Sequence, residues 1–146
     1  MSDIKVEILL VEDRPEDAEL AMMTLKKNNL INNIHWVKDG EEALEYVFAE
    51  GRYSHRSIEQ MPGLILLDLN VPKVGGIEVL RKIRSDDRVK NIPVVILTTS
   101  ADDKDIKTAY DLHVNSYMVK PVNFDEFVEA IKSMGLFWVL LNQRPY

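Results

Sequence analysis

The sequence predicts an α/β fold, an open parallel sheet with helices on both of its faces. Three observations predict it. Short β-branched or leucine-rich runs alternate with stretches of helical periodicity along the chain. Residues 64–69 and 93–97 are apolar almost without a break, as strands covered on both faces must be. Polar residues gather where four of these runs end, and open α/β sheets bind their ligands beyond the carboxyl ends of their strands.

Taken in order, residues 6–11 read as a strand. Residues 15–27 read as a helix, opened by Pro15, which is tolerated in a first turn. Ala18, Ala21, Met22 and Leu25 share one of its faces. Residues 34–37 form a short second strand. Asp39 has the character of an N-cap, with Glu42 three residues on, and the helix it starts turns Ala43, Leu44, Val47 and Phe48 inward. Residues 51–63 are polar and aperiodic, a long segment for an αβ connection. After the apolar strand 64–69, residues 75–85 read as a helix with Ile77, Leu80 and Ile83 inward. Strand 93–97 follows, then a helix over 102–112 with Ile106, Ala109 and Tyr110 on one side. Residues 116–119 are the last strand. Asn123, with Glu126 three residues on, caps a final helix with the stripe Phe124, Phe127, Val128, Ile131 and Met134. Five β-α units in succession imply a parallel sheet.

The chain of 146 residues fits one domain with a proper core, and 46% hydrophobic with 29% charged residues is an ordinary globular balance. No internal repeat, low-complexity segment or interdomain linker interrupts it. It has no cysteine, which excludes disulfides and thiolate zinc sites and fits a cytoplasmic location. The N-terminus runs straight into a charged, strand-like segment with no signal peptide. The longest apolar run, residues 136–141, is far shorter than the ~20 residues of a membrane span. With 18 basic against 24 acidic residues, the net charge of −6 lacks the basic footprint of nucleic-acid binding. Neither nucleic acid nor membrane is expected as a partner.

The rim of the inferred sheet carries the chemistry. Glu12 and Asp13 end the first strand, Asp68 and Asn70 the third, Thr98, Thr99 and Ser100 the fourth, and Lys120 the fifth. Clustered carboxylates repel, and a divalent cation with a preference for hard oxygen ligands, such as Mg2+, neutralises them. A carboxylate is also a competent nucleophile toward phosphorus. Metal, lysine and hydroxyl would share the charge of the transferring phosphoryl oxygens. Each residue has a blander reading. A lone Asp after a strand is ordinarily an N-cap or turn residue, Glu12 and Asp13 could serve the following helix dipole, and Thr98 could satisfy loop backbone. Lys120 alone is a solvated charge, and Pro121 an ordinary helix start. Their joint position on one rim favours the chemical reading. The histidines at 35, 55 and 113 are scattered and read as structural or surface residues.

The chain resembles a response-regulator receiver domain of the chemotaxis-regulator type. The resemblance lies in L-L-V-E-D ending at Asp13, L-I-L-L-D-L-N-V-P through Asp68, V-V-I-L-T-T-S around Thr98, and Y-M-V-K-P ending at Pro121. Pro72 and Gly76, four and eight residues after Asp68, also fit. It implies a doubly wound (βα)5 flavodoxin-like three-layer sandwich with strand order 2-1-3-4-5. It implies residues 4–134 as the receiver domain, with 135–146 an extension of the last helix and a tail. Asp68 then resembles the phosphorylated aspartate, and Glu12 and Asp13 the acidic pair, with Asp13 the direct metal ligand. Asn70 matches the position whose backbone carbonyl coordinates the metal, Mg2+. Thr98 resembles the switch hydroxyl, Lys120 the lysine that pairs with the phosphoryl group, and Tyr117 the switch aromatic that turns inward on activation. The implied function is phosphoryl transfer from a sensor histidine kinase and signalling through a changed protein-binding surface, with no enzymatic turnover beyond self-catalysed transfer and autodephosphorylation.

Three features depart from a minimal receiver: the long segment 51–63, Thr99 where alanine is frequent, and the apolar continuation L-F-W-V-L-L-N-Q-R-P-Y. The loop, the tail and L-H-V-N-S-Y resemble the stand-alone receivers that partner bacterial phytochromes and related kinases. The apolar tail and the face between the fourth and fifth helices predict a homodimer. With no room for an output domain, the message is expected to leave through a downstream protein or onward phosphotransfer. The alternatives are a pseudo-receiver that only binds, which the complete set of rim residues opposes, and an aspartyl-nucleophile phosphatase. The phosphatase needs a second aspartate where Asn70 stands. A flavin site is weaker still, because no phosphate-cradling loop follows the first strand.

Overall fold

A computed structural model describes residues 7–26 and 33–135 of the chain. Its elements alternate strictly: β1 (Ile8–Val11), α1 (Pro15–Lys26), β2 (Ile34–Val37), α2 (Gly40–Phe48), β3 (Leu64–Leu67), α3 (Gly76–Arg84), β4 (Val94–Thr98), α4 (Asp103–Asp111), β5 (Ser116–Val119) and α5 (Phe124–Ser133). The five strands form one sheet in the order β2-β1-β3-β4-β5. Every pairing is parallel. The parallel sheet is what the alternation predicts, and the doubly wound, flavodoxin-like order is what the resemblance implies. The order reverses direction at β1 and β3, and the crevice at such a switch point is where these sheets take ligands.

Side chains along a strand alternate between faces, and the core divides accordingly. Leu9, Val11, Ile65, Leu67 and Ile96 point to one side, against Ala43 and Val47 of α2, Val79, Leu80 and Ile83 of α3, and Ala109 of α4. Ile8, Leu10, Leu64, Leu66, Val95 and Leu97 point to the other, against Ala18, Ala21 and Leu25 of α1 and Phe127 and Ile131 of α5. With both faces covered, β1, β3 and β4 are buried at every position.

The caps follow the sequence. Asp39 Oδ1 accepts from the Glu42 amide at 2.7 Å, and Asn123 Oδ1 from the Glu126 amide at 2.9 Å. Glu42 reaches back to the amide of Lys38 (3.1 Å), one residue before the cap.

The structure corrects several expectations. The first strand begins at Ile8, and Val6 lies outside the described residues. The third ends at Leu67, because the chain turns away there to present Asp68 and to let Gly76 approach its backbone. On α4 only Ala109 is buried, and Tyr110, expected inward, is exposed. Successive helical residues lie about 100° apart, so a helix that seats Ala109 squarely on the sheet turns its neighbour out. Met22, Leu44, Phe48, Ile77 and Val128 flank the core, partly buried.

Residues 51–63 are less loop-like than their sequence. A 3-10 turn over Gly51–Tyr53 starts the segment. The Arg56 guanidinium lies 3.7 Å over the Tyr46 ring and donates to the carbonyls of Tyr46 and Gln60. Tyr53 donates to Glu42 Oε2 at 2.7 Å, and His35 stacks on Tyr46 with its Nε2 3.1 Å from the Tyr53 hydroxyl. The segment is a clasp over α2 and the β2 edge. His35 is therefore structural, as expected, while His55 and His113 are exposed.

Candidate functional site

The register of the sheet builds the site. Val11 of β1 is the partner of Leu67 of β3, so the residues that follow them, Glu12 and Asp68, leave the sheet side by side. Thr98 of β4 is the partner of Val119 of β5, and the Lys120 amide donates to the Thr98 carbonyl at 2.7 Å. The four strand ends thus converge. Carboxylate oxygens of Glu12, Asp13 and Asp68 lie within 4.8 Å of one another, with Glu12 and Asp68 buried and Asp13 partly exposed.

Lys120 enters this group from the side. Its ammonium is 2.5 Å from Glu12 Oε1, 2.8 Å from Asp68 Oδ2 and 3.0 Å from Asp17 Oδ2. Its side chain is only 9% exposed, so it is not the solvated charge that it would be if read alone. Burial alone would pull the ammonium down, but its hydrogen bonds to Asp68, Glu12 and Asp17 outweigh that and hold it above its ordinary value. Burial pushes the Glu12 carboxyl up, with the Asp68 charge adding to it, while Lys120 and the Arg14 amide act in the opposite sense.

The Asp68 carboxylate has two anchors. Asp68 Oδ1 takes the Asn70 amide at 3.0 Å, and Oδ2 takes Lys120. The Asn70 side chain donates to Thr98 Oγ1 at 3.3 Å. Thr98 is wholly buried, whereas Thr99 beside it is exposed. Tyr117 on β5 is half-buried and donates to the Ser100 carbonyl at 2.9 Å, and burial pushes its phenol up. Ser100 donates in turn to Asp105 of α4 at 2.7 Å. The rim is thereby wired to the start of α4.

Every rim residue singled out in the sequence is placed at this rim. Asp17 is the one that sequence reasoning missed. It stands in the first turn of α1, just after the rim residues Glu12 and Asp13, and an acidic residue at that place was the available signal. A cleft of about 250 Å³ opens beside Lys120, lined by Arg14, Asp17, Leu20, Thr99 and Val122.

A doubly wound sheet with carboxylates, a buried lysine and a buried threonine at its switch point defines the receiver class of two-component signalling domain. The chain belongs to the response regulator receiver domain family, which it matches over residues 8–132. Among curated relatives, it is 39% identical to the probable methanogenesis regulatory protein FilR2 of Methanothrix harundinacea, over 94% of this chain and 86% of that one. It is 38% identical to the response regulator Rcp1 of Synechocystis sp., over 90% of this chain and 88% of that one. Among solved structures it is similar to the bacteriophytochrome response regulator AtBRR, with 44% identity, a TM-score of 0.84 and coverage of 97% of this chain and 100% of that one. The phosphorylated cyanobacterial phytochrome response regulator RcpA is 42% identical, with a TM-score of 0.76 and coverage of 92% and 94%. The Mn2+-bound form of Rcp1 is 36% identical, with a TM-score of 0.76 and coverage of 97% and 99%. No helix among the described residues is long and apolar enough to cross a membrane.

Proposed function

We propose that the chain accepts a phosphoryl group on Asp68 from the phosphohistidine of a sensor histidine kinase. The observation that supports this best is the Asp68 carboxylate itself, held at the switch point between Lys120 and the Asn70 amide beside two further carboxylates. The solved relative RcpA is phosphorylated, and the solved relative Rcp1 holds Mn2+.

The residues fit a hard divalent cation, Mg2+ in the cell. Oxygens of Glu12, Asp13 and Asp68 lie close enough to share one ion, and they are oxygen donors only. Asp13, Asp68 and the carbonyl of Asn70 would hold it, with Glu12 supporting. Bound there, the ion supplies charge neutralisation for the phosphoryl oxygens. In the transfer, an Asp68 oxygen forms a bond to phosphorus as the donor's P–N bond breaks, and the electron pair goes to the departing imidazole, which leaves neutral because its other nitrogen already carries a proton. Lys120 then takes a phosphoryl oxygen, and Thr98 leaves Asn70 to donate to another. Asn70 has no acid to give or take protons, so the chain does not turn over as a phosphatase.

The message passes along the Thr98, Ser100, Asp105 and Tyr117 contacts to the face formed by α4, β5 and α5. A downstream protein or phosphotransfer partner reads that face. The same face, with the tail, carries a homodimer, residues 4–134 forming the receiver domain and the tail its extension. The compartment proposed is the cytoplasm, where sensor kinases expose their phosphohistidines.

Asp68→Ala tests the assignment. Incubated with acetyl phosphate and Mg2+, the native chain should gain one phosphoryl group and the variant none. Labelling retained in the variant removes Asp68 from this role.

A further inference from the structure

Lys120 sits on two of the carboxylates that a metal ion needs. Its ammonium is 2.5 Å from Glu12 and 2.8 Å from Asp68, and both belong to the trio that can share one cation. A lysine and a divalent ion that share these carboxylates repel each other and compete for them. Occupation by the metal therefore favours a shift of the ammonium away from them. Its side chain is only 9% exposed, and a largely buried ammonium is stabilised by keeping an anionic partner.

One acceptor is already in place. Asp17 Oδ2 is 3.0 Å from the same nitrogen and lies outside the trio. Asp17 stands in the first turn of α1, on the rim side, and is 26% exposed. Arg14 is 3.6 Å from the same oxygen, on its solvent side. The three ammonium protons are thus divided between two metal-site carboxylates and one that the metal does not use.

We propose that Asp17 is a positioning residue that draws the Lys120 ammonium off Glu12 and Asp68 and so opens those carboxylates to the divalent ion. The proposal rests on the metal-dependent reading above and adds a residue to it. Asp17 touches neither metal nor phosphoryl group and acts through Lys120. Without it, Lys120 leans entirely on Glu12 and Asp68 and competes with the metal. Mg2+ affinity then falls, while the chemistry at saturating Mg2+ is spared.

The test is a Mg2+ titration of the full chain without phosphodonor, followed by tryptophan fluorescence and by calorimetry. Trp36 donates its indole N–H to the Glu12 carbonyl at 2.7 Å and so reports on the site. Asp17→Asn should raise the Mg2+ dissociation constant about three- to tenfold, as should Asp17→Ala if the asparagine disturbs α1. Glu19→Gln removes a nearby exposed α1 charge that contacts neither Lys120 nor Arg14, and should leave the constant within about twofold. Lys120→Ala should tighten Mg2+ binding, and Asp17→Asn in that background should shift it no more than Glu19→Gln does. In phosphorylation by acetyl phosphate, Asp17→Asn should raise the Mg2+ concentration for half-maximal rate and leave the saturated rate near that of the native chain. An unchanged dissociation constant in both Asp17 variants overturns the proposal, as does a full-sized effect that survives in Lys120→Ala. If the native chain itself binds no Mg2+, the metal-dependent reading fails instead, and the two failures are distinguishable.

Discussion

Tyr53 shows how much one residue outside the acidic rim can fix. It donates to Glu42, receives His35 and packs edge-on to Tyr46. Burial, with the hydrogen bond to Glu42 adding to it, pushes its phenol up to about 12. Tyr46 is pushed up further, by burial first and then by its hydrogen bond to Glu7. The folded value of Tyr53 lies above the value of about 10 for an unfolded tyrosine. The stability it contributes is therefore fully present below about pH 10 and is lost as pH rises through about 12. An alkaline titration followed by tyrosinate absorbance should show three late phenols, Tyr46, Tyr53 and Tyr117, and Tyr53→Phe should remove one of them. All phenols titrating together near pH 10 would contradict the clasp. The sequence did not disclose this residue, because its partners stand up to 18 positions away and only the fold brings them together. Asp68, Thr98 and Lys120 were legible for the opposite reason. Each ends an apolar run, where a polar side chain has no place unless the strand stops there.

At the scale of elements, the site depends on how closely α2 and the segment after β3 approach. Gly40 opens α2, and its amide donates to the Pro72 carbonyl at 3.2 Å. A methyl group there would stand 1.7 Å from the Val74 carbonyl oxygen, which is backbone and cannot step aside. Gly40→Ala should destabilise the chain by about 1–3 kcal/mol or more, measured by urea denaturation. It should also slow phosphorylation of the folded fraction, since residues 69–75 carry the Asn70 amide that holds Asp68. Native stability in this variant would show that the approach can relax. Periodicity predicted all five helices, and their caps at Asp39 and Asn123 held because capping is a local interaction. It misplaced Tyr110, because the face a helix buries is set by the sheet beneath it, and α4 offers the sheet only Ala109.

At the scale of the molecule, strand order and register turn scattered residues into a site. Alternation alone implied a parallel sheet, whereas the order 2-1-3-4-5 came with the family resemblance and is what the structure has. The predicted dimer draws on the tail, residues 136–146, which lies outside the described residues. The exposed Tyr110 and Val119 on the α4 and β5 face are consistent with an association surface. Light scattering of a chain ending at residue 135 should give a smaller oligomer than the full chain, and an unchanged assembly would count against the tail.

On the proposed function, one carboxylate in the acidic cluster becomes an acyl phosphate. Borohydride reduction of the chain labelled by acetyl phosphate, followed by peptide mass spectrometry, reads this directly, because reduction converts a phosphorylated aspartate to homoserine. The expected result is homoserine at position 68 alone, formed with Mg2+ and absent with EDTA. Homoserine at position 13 or 17, or at none, would contradict it.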